Sequence, residues 1–265
     1  MALLQYIDEV LPKLRPHLPV FLGCFASFNA VQFVLVPAIA RVLFPVKWKT
    51  MNARTRHNWA THICSQIHAA LIIPLAIRCL WLPELDADRA FGWHERSGTV
   101  QAVASAYFLY DFFVEIIKYE SLAFVVHGLA CFAIYLLSFK PFLAFYASRC
   151  LLWEASTFFL NIHWMLDKAN LTGSIYQIIN GVFLTTTFFC VRIVYGGYTS
   201  YQFFQTLYNG RDVIPLIALL ITGIGNIVLQ GLNWFWFTQM IASLRKRFSP
   251  KKQKDFAAAN GHKSE

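Results

Sequence analysis

The chain has 265 residues, of which 57% are hydrophobic, 17% aromatic and only 14% charged, against about 25% charged in an ordinary soluble domain. With a mean hydropathy of +0.47 and 25 phenylalanines, the excess apolar surface must face lipid. That excludes a soluble enzyme, together with collagen-like, disordered and disulfide-scaffold classes. A net charge of +9 would suggest a nucleic-acid partner in a soluble protein. Here no nucleic acid is expected, and the placement of the basic residues reads topology instead.

A bilayer core of about 30 Å needs about 20 largely apolar residues per helix. In chain order the candidate spans fall near 18–40, 58–82, 98–117, 121–139, 141–165, 175–198 and 213–241. The expected fold is therefore all-α and polytopic, with about seven transmembrane helices. No cleavable signal peptide is expected, because the start carries Asp8, Glu9 and prolines rather than a basic segment and a short apolar run. The joints at Lys118–Glu120 and Lys140–Pro141 are short enough to force antiparallel neighbours.

Loop charges set the orientation. With a luminal N-terminus and cytosolic C-terminus, the cytosolic side holds Arg41, Lys47, Lys49, Arg54, Arg56, Lys118, Lys168 and the basic tail from Arg245 to Lys263. The other side keeps only Lys13, Arg15, Arg89, Arg96, Lys140 and Arg211, as the positive-inside rule requires. The organisation expected is a short luminal segment over 1–17, a first helix and basic cytosolic loop over 18–54, a main bundle over 55–241 and a basic, disordered tail over 242–265. Trp48, Trp81, Trp93, Trp234 and Trp236 sit near predicted helix ends, where an indole belongs. The six cysteines lie in apolar stretches without metal spacing and are read as small buried hydrophobes.

Ionisable groups within spans are costly, so each marks a candidate site. They are His62, His68 and Arg78 in the second span, Asp111 and Glu115 in the third, and His127 in the fourth. Arg149, Glu154, Asn161 and His163 lie in the fifth and Arg192 in the sixth. Asp111 and His127 each lie about 9 Å from the same helix ends at a rise of 1.5 Å per residue, so they are expected to meet across the hairpin. Asp111 and Glu115 share a face. His68 and Glu154 fall at roughly 15 Å from the cytosolic end, and Arg149 and Arg192 at roughly 24 to 26 Å. That gradient suits an amphiphile with an anionic or hydroxylated head. A packing role is the alternative for each pair, Glu154 with Arg192 or Arg149 included. No metal site is expected.

Several segments together carry a resemblance. Tyr110-Asp111, then His127, then Trp153-Glu154-Ala155-Ser156-Thr157 and Asn161-Ile162-His163-Trp164 resemble the TLC domain of longevity-assurance ceramide synthases, translocation-associated membrane proteins and a ceroid-lipofuscinosis cargo receptor. Arg56-His57-Asn58-Trp59 and Ser65-Gln66-Ile67-His68 are similar to the smaller TLC-domain-containing proteins. The resemblance implies an endoplasmic-reticulum protein in which six helices form a barrel-like bundle around a lipid-accommodating cavity. It also implies membrane lipids as partners, whether sphingolipid, phospholipid or fatty acyl species; homodimerisation stays open. Ceramide synthases carry a pair of adjacent histidines, whereas this chain reads Val126-His127-Gly128.

Three functions follow. The first is binding, sensing or moving a lipid, with His68, Asp111, Glu115, His127, Arg149, Glu154, Asn161 and Arg192 lining the cavity. The second is an N-acyltransferase with His127 as base and Asp111 as its orienter. In it acyl-CoA is a co-substrate, and no other cofactor is expected. The third is a cargo receptor or translocation-associated protein.

Overall fold

The computed structural model describes residues 2–247. These are all-helical, with no strand among the described residues. A short helix α1 (Ala2–Val10) precedes α2 (Arg15–Leu43), and α3 (Pro45–Thr50) leads into α4 (Ala53–Ile77). A short α5 (Pro83–Ala87) precedes α6 (Glu95–Ile117), which turns tightly into α7 (Leu122–Leu137). The next rod is compound: α8 (Ala144–Cys150), a 3₁₀ turn (Leu151–Trp153) and α9 (Glu154–Lys168). Then come α10 (Ile175–Asn209) and α11 (Leu216–Arg247).

Every expected span coincides with a helical run, but among the described residues only five helices are long and apolar enough to cross a membrane: α2, α4, α6, α10 and α11. The chain is an all-α polytopic membrane protein. Two of the seven expected spans fall short for local reasons. Helix α7 has 16 residues, about 24 Å at 1.5 Å per residue, and the α8–α9 rod is broken by its 3₁₀ turn. Of the tail expected to be disordered over 242–265, residues 242–247 are the last turns of α11, and the rest lies outside the described residues.

Local chemistry sets the boundaries. Asn52 caps α4 by accepting from the Thr55 amide at 2.8 Å, and Ser174 caps α10 by accepting from Gln177. The α9–α10 turn passes through Asn170 at φ 62° and Gly173 at φ 84°, the left-handed region that Asn and Gly tolerate best. Two π-turns interrupt otherwise regular helices, Val31–Leu35 in α2 and Phe189–Val194 in α10. Each rotates a polar residue inward.

In α2 that residue is the buried Gln32. Its amide donates to His57 Nδ1 and Thr61 Oγ1, both at 3.2 Å, and its carbonyl accepts from the Tyr110 hydroxyl at 2.9 Å. One side chain thereby pins the first long helix to α4 and α6, which is how polar groups join helices where lipid gives no hydrophobic drive. A second polar chain runs from Ser138 to Gln101, Ser97 and Ser148, joining α6, α7 and α8.

Packing proceeds in sequence from α4 to α6, α6 to α7, α7 to α11, α11 to α10, α10 to α9 and α9 back to α4. Helices α6 and α7 approach closely at Gly128. There a side chain on Gly128 would lie 3.2 Å from the backbone of Phe112, so glycine lets the two backbones touch. The reading of all six cysteines as buried holds for Cys64, Cys79 and Cys131 alone: Cys24 and Cys150 are half-buried and Cys190 is exposed.

Candidate functional site: a polar-floored cavity within the helices

Between these rods lies a cavity of about 510 Å³, within the range of about 300–1,000 Å³ of small-molecule sites. Its lining comes from α4, α6, α7, α9, α10 and α11. One end is marked by His57, Asn58, Lys118, Glu120 and Leu244, at the membrane face where α4 begins and α6 ends. The other end is marked by Glu154, Ser156 and Arg192.

Arg192 forms the floor. The π-turn in α10 places it in the interior with only 5% exposure. Its guanidinium donates to Ser156 Oγ at 2.8 Å, Thr157 Oγ1 at 3.0 Å, Asn233 Oδ1 at 3.1 Å and the Trp153 carbonyl at 3.2 Å. The Glu154 carboxylate stands 3.5 Å away. A buried arginine is tolerated only when its donors are met and its charge is opposed. Here the α9 rod supplies the opposing charge and most of the acceptors, and α11 supplies Asn233. The sequence offered Glu154 two partners; the structure selects Arg192.

Arg149, expected beside it, lines no part of the cavity. It lies over the Phe145 ring at 3.3 Å, donates to the Leu80 carbonyl at 3.0 Å and reaches Asp86 at 3.5 Å. The 3₁₀ turn between Arg149 and Glu154 sets the two on different sides of the rod. His68 is also absent from the lining. Its ring is buried and stacks on Tyr107 at 3.7 Å with an interplanar angle of 6°. It serves as an aromatic plate behind the cavity wall.

Asp111, Glu115, His127 and Asn161 do line the cavity. No hydrogen bond or ion pair joins Asp111 to His127 among the described residues, contrary to the expectation from their equal depth. The reason is rotational. Gly128 and Phe112 occupy the contact line, and adjacent residues are turned about 100° at 3.6 residues per turn, so Asp111 and His127 flank that line without facing each other. The His127 ring meets Phe108 and Trp236 edge-on, at 5.9 and 5.4 Å. Asn161 accepts from His62 Nδ1 at 2.8 Å and donates to Ser65 at 3.0 Å, tying α9 to α4. His62 in turn stacks on Trp164 at 4.0 Å.

A smaller chamber of about 50 Å³ adjoins the first and shares Phe108, His127, Glu154 and Arg192 with it. The sequence names Ser156 and Thr157 only within the Trp153–Thr157 motif, without a role in the cavity, and does not point to Phe108 at all. It had placed Trp236 at a helix end as an interfacial indole, whereas the ring stacks on Phe124 and lines the cavity. The polar signal that could have assigned Ser156 and Thr157 to the cavity is their position two and three residues after Glu154, on the same helix start.

The fold and the cavity define the class: an all-helical polytopic membrane protein whose helices enclose a cavity with a polar floor. The chain belongs to the TLC-domain family, whose model matches residues 58–242. It is similar to an uncharacterized TLC domain-containing protein of Schizosaccharomyces pombe, 34% identical over 92% of this chain and 84% of that one. It is also similar to Topoisomerase I damage affected protein 4 of Saccharomyces cerevisiae, 28% identical over 88% of this chain and 86% of that one. A third relative is human TLC domain-containing protein 4, 24% identical over 73% of this chain and 76% of that one.

Proposed function

We propose that the protein binds, senses or moves a membrane lipid in this cavity, and so influences membrane lipid composition from the endoplasmic reticulum. The carrying observation is the cavity itself. Its floor is the Arg192 network, its walls include Phe108, Leu160, Leu184 and Phe188, and its far end is polar again at Lys118 and Glu120. An interior of that pattern matches an amphiphile better than a water-soluble metabolite. The sphingolipid, phospholipid and fatty acyl classes all fit this description, and the barrel-like six-helix arrangement is the reading that the packing order supports.

Native mass spectrometry of the purified protein tests this. Wild type is expected to carry a co-purifying lipid. Leu160 lines the cavity and is 45% exposed, so Leu160→Trp adds an indole to the cavity without displacing packed core. That variant is expected to fold and to lose most of the bound lipid. Wild type that carries no lipid, or Leu160→Trp that carries as much, sinks the reading.

The second reading, an acyl-CoA-dependent N-acyltransferase, is favoured by His127 and Asp111 lining one cavity. Against it stands Gly128, where those synthases resembling this chain carry a second imidazole.

The orientation proposed is N-terminus luminal and C-terminus cytosolic, on the asymmetry of basic loops. A glycosylation acceptor engineered at the extreme C-terminus is expected to stay unmodified, and one near Asp88 to be used. Glycosylation of the tail would reverse the topology.

A further inference from the structure

Between Glu9 and Glu84 the chain has no acidic residue, yet Arg41, Lys47, Lys49, Arg54 and Arg56 all fall within residues 41–56. The positive-inside rule explains which side of the membrane they occupy. It does not explain the shape that carries them.

Helix α2 runs 29 residues, about 43 Å at 1.5 Å per residue, against a hydrocarbon core of about 30 Å and a whole bilayer of about 40–45 Å. A helix of that length carries its last turn, with Arg41, out of the core to the level of the headgroups. The chain then bends at Phe44 into α3 and enters α4 at Ala53. At this elbow Val42, Leu43, Phe44 and Val46 are 60–77% exposed. Such surface is stable against acyl chains rather than water, so it holds the elbow at the boundary of tails and headgroups, as in interfacial helices. Arg41, Lys47, Lys49 and Arg54 stand exposed beside it.

The elbow is also held in shape. Trp48 turns inward to 7% exposure, with the Arg56 guanidinium 5.8 Å over its ring. Arg56 Nε donates to the Met51 carbonyl at 2.9 Å, and the Thr50 hydroxyl donates to the Lys47 carbonyl at 3.0 Å. Cations on a fixed frame lose less freedom on meeting a ligand than cations on a loose loop. No ion pair among the described residues reaches Arg41, Lys47, Lys49 or Arg54. The acids just after α6 and near the end of α9 are engaged elsewhere: Glu120 accepts from Asn58 at 2.8 Å, and Asp167 accepts from Thr172 at 2.7 Å and pairs with Lys168 at 3.4 Å.

We propose that the α2–α4 elbow is a docking surface for the headgroups of anionic phospholipids in the bilayer, with Arg41, Lys47, Lys49 and Arg54 as its cations. This goes beyond the cavity and does not depend on what the cavity holds. Unpaired cations beside exposed apolar side chains match both parts of such a lipid: the cations meet the headgroup charge, and the apolar side chains meet the upper acyl segments. A zwitterionic lipid offers the same chains without net charge, and gains only the apolar half. The surface adjoins the cavity's mouth, because His57 and Asn58, which line it, follow Arg56 directly. Anionic lipid is thereby concentrated where the cavity opens.

The test uses full-length protein in detergent micelles, equilibrated with equal amounts of phosphatidylserine and phosphatidylcholine carrying the same acyl chains. Retained lipids are counted by native mass spectrometry. One Lys or Arg near an anionic surface strengthens the attraction about fivefold, so wild type is expected to retain phosphatidylserine preferentially. The double variants Lys47→Gln, Lys49→Gln and Arg41→Gln, Arg54→Gln should each lose at least about fivefold of that preference. All four side chains are exposed and unpaired, so both variants should melt with wild type. The pair Lys140→Gln, Arg211→Gln removes two exposed cations after α7 and α10, at the other end of the bundle, and should keep the preference. Leu160→Trp, which fills the cavity, should keep it too. The elbow is overturned by wild type without preference, by an elbow variant that keeps it, or by equal loss in the Lys140, Arg211 pair. Loss in Leu160→Trp places the anionic lipid in the cavity and overturns the elbow as well. An intact elbow preference in a protein that carries no cavity lipid sinks only the cavity reading.

Discussion

Replacing Arg192 by alanine is expected to cost this protein more stability than any other single truncation in the cavity wall. The substitution leaves the Glu154 carboxylate buried at 6% exposure with its opposing charge gone. Removing one partner of a buried pair typically costs about 3–5 kcal/mol, because the remaining charge is uncompensated. It also leaves Asn233 Oδ1 without its guanidinium donor, adding a desolvation penalty of about 1–3 kcal/mol, while the Trp153 carbonyl keeps the Ser156 hydroxyl as donor. A loss of that size moves the melting temperature of a domain this large by on the order of 10 °C.

The double variant Arg192→Ala, Glu154→Gln separates charge from shape. It restores electrical neutrality without restoring the hydrogen bonds, so it should recover a substantial part of the loss. Glu154→Gln alone should be mild, because the guanidinium keeps Ser156, Thr157, Asn233 and the Trp153 carbonyl as acceptors. Melting followed by size-exclusion chromatography in detergent reads all three. If Arg192→Ala melts with wild type, the ion pair is incidental and the cavity floor needs another explanation.

Which parts of this site were readable in the sequence follows from what a one-dimensional pattern encodes. Helical runs were legible because lipid demands apolar stretches of a set length. Asp111, Glu115, His127, Glu154, Asn161 and Arg192 were legible as cavity residues because a polar or charged side chain in such a stretch has few other places to go. Depth along the axis was recoverable too, since the rise per residue is fixed. Azimuth was not. Arg149 and Arg192 have almost the same expected depth, yet a 3₁₀ turn carries one to Asp86 and a π-turn carries the other to Glu154. Neither turn has a composition signal strong enough to foresee. His68 failed for the same reason: it sits at the right depth on the wrong side of Tyr107. Thr157 entered only within the Trp153–Thr157 motif and Phe108 not at all, because neither carries charge, although one helps hold the guanidinium and the other lines both chambers.

Gly128 decides between lipid binding and acyl transfer, and Gly128→His is expected to destroy the fold rather than create a synthase. An ideal Cβ at this position would lie 3.2 Å from both the Cα and the amide nitrogen of Phe112 and 3.3 Å from its Cβ. Two of those three atoms are backbone, so no rotamer change relieves the contact and α7 must move away from α6. Alanine requires a shift of a few tenths of an ångström; histidine requires separation of the two helices along this seam. Overpacking of this kind costs typically 1–3 kcal/mol, occasionally more, and here it also loosens the flanking positions of Asp111 and His127. A graded loss of melting temperature from glycine to alanine to histidine is the expected measurement, with histidine recovered mainly as aggregate. Wild type, holding a single imidazole between Phe108 and Trp236, is expected to release no CoA from acyl-CoA with a long-chain base. Loss of a positioned acid–base group typically costs 10² to 10⁴-fold in rate, so CoA release that His127→Ala abolishes in a folded protein would be unmistakable. That result would promote the acyltransferase, with one histidine doing the work of two.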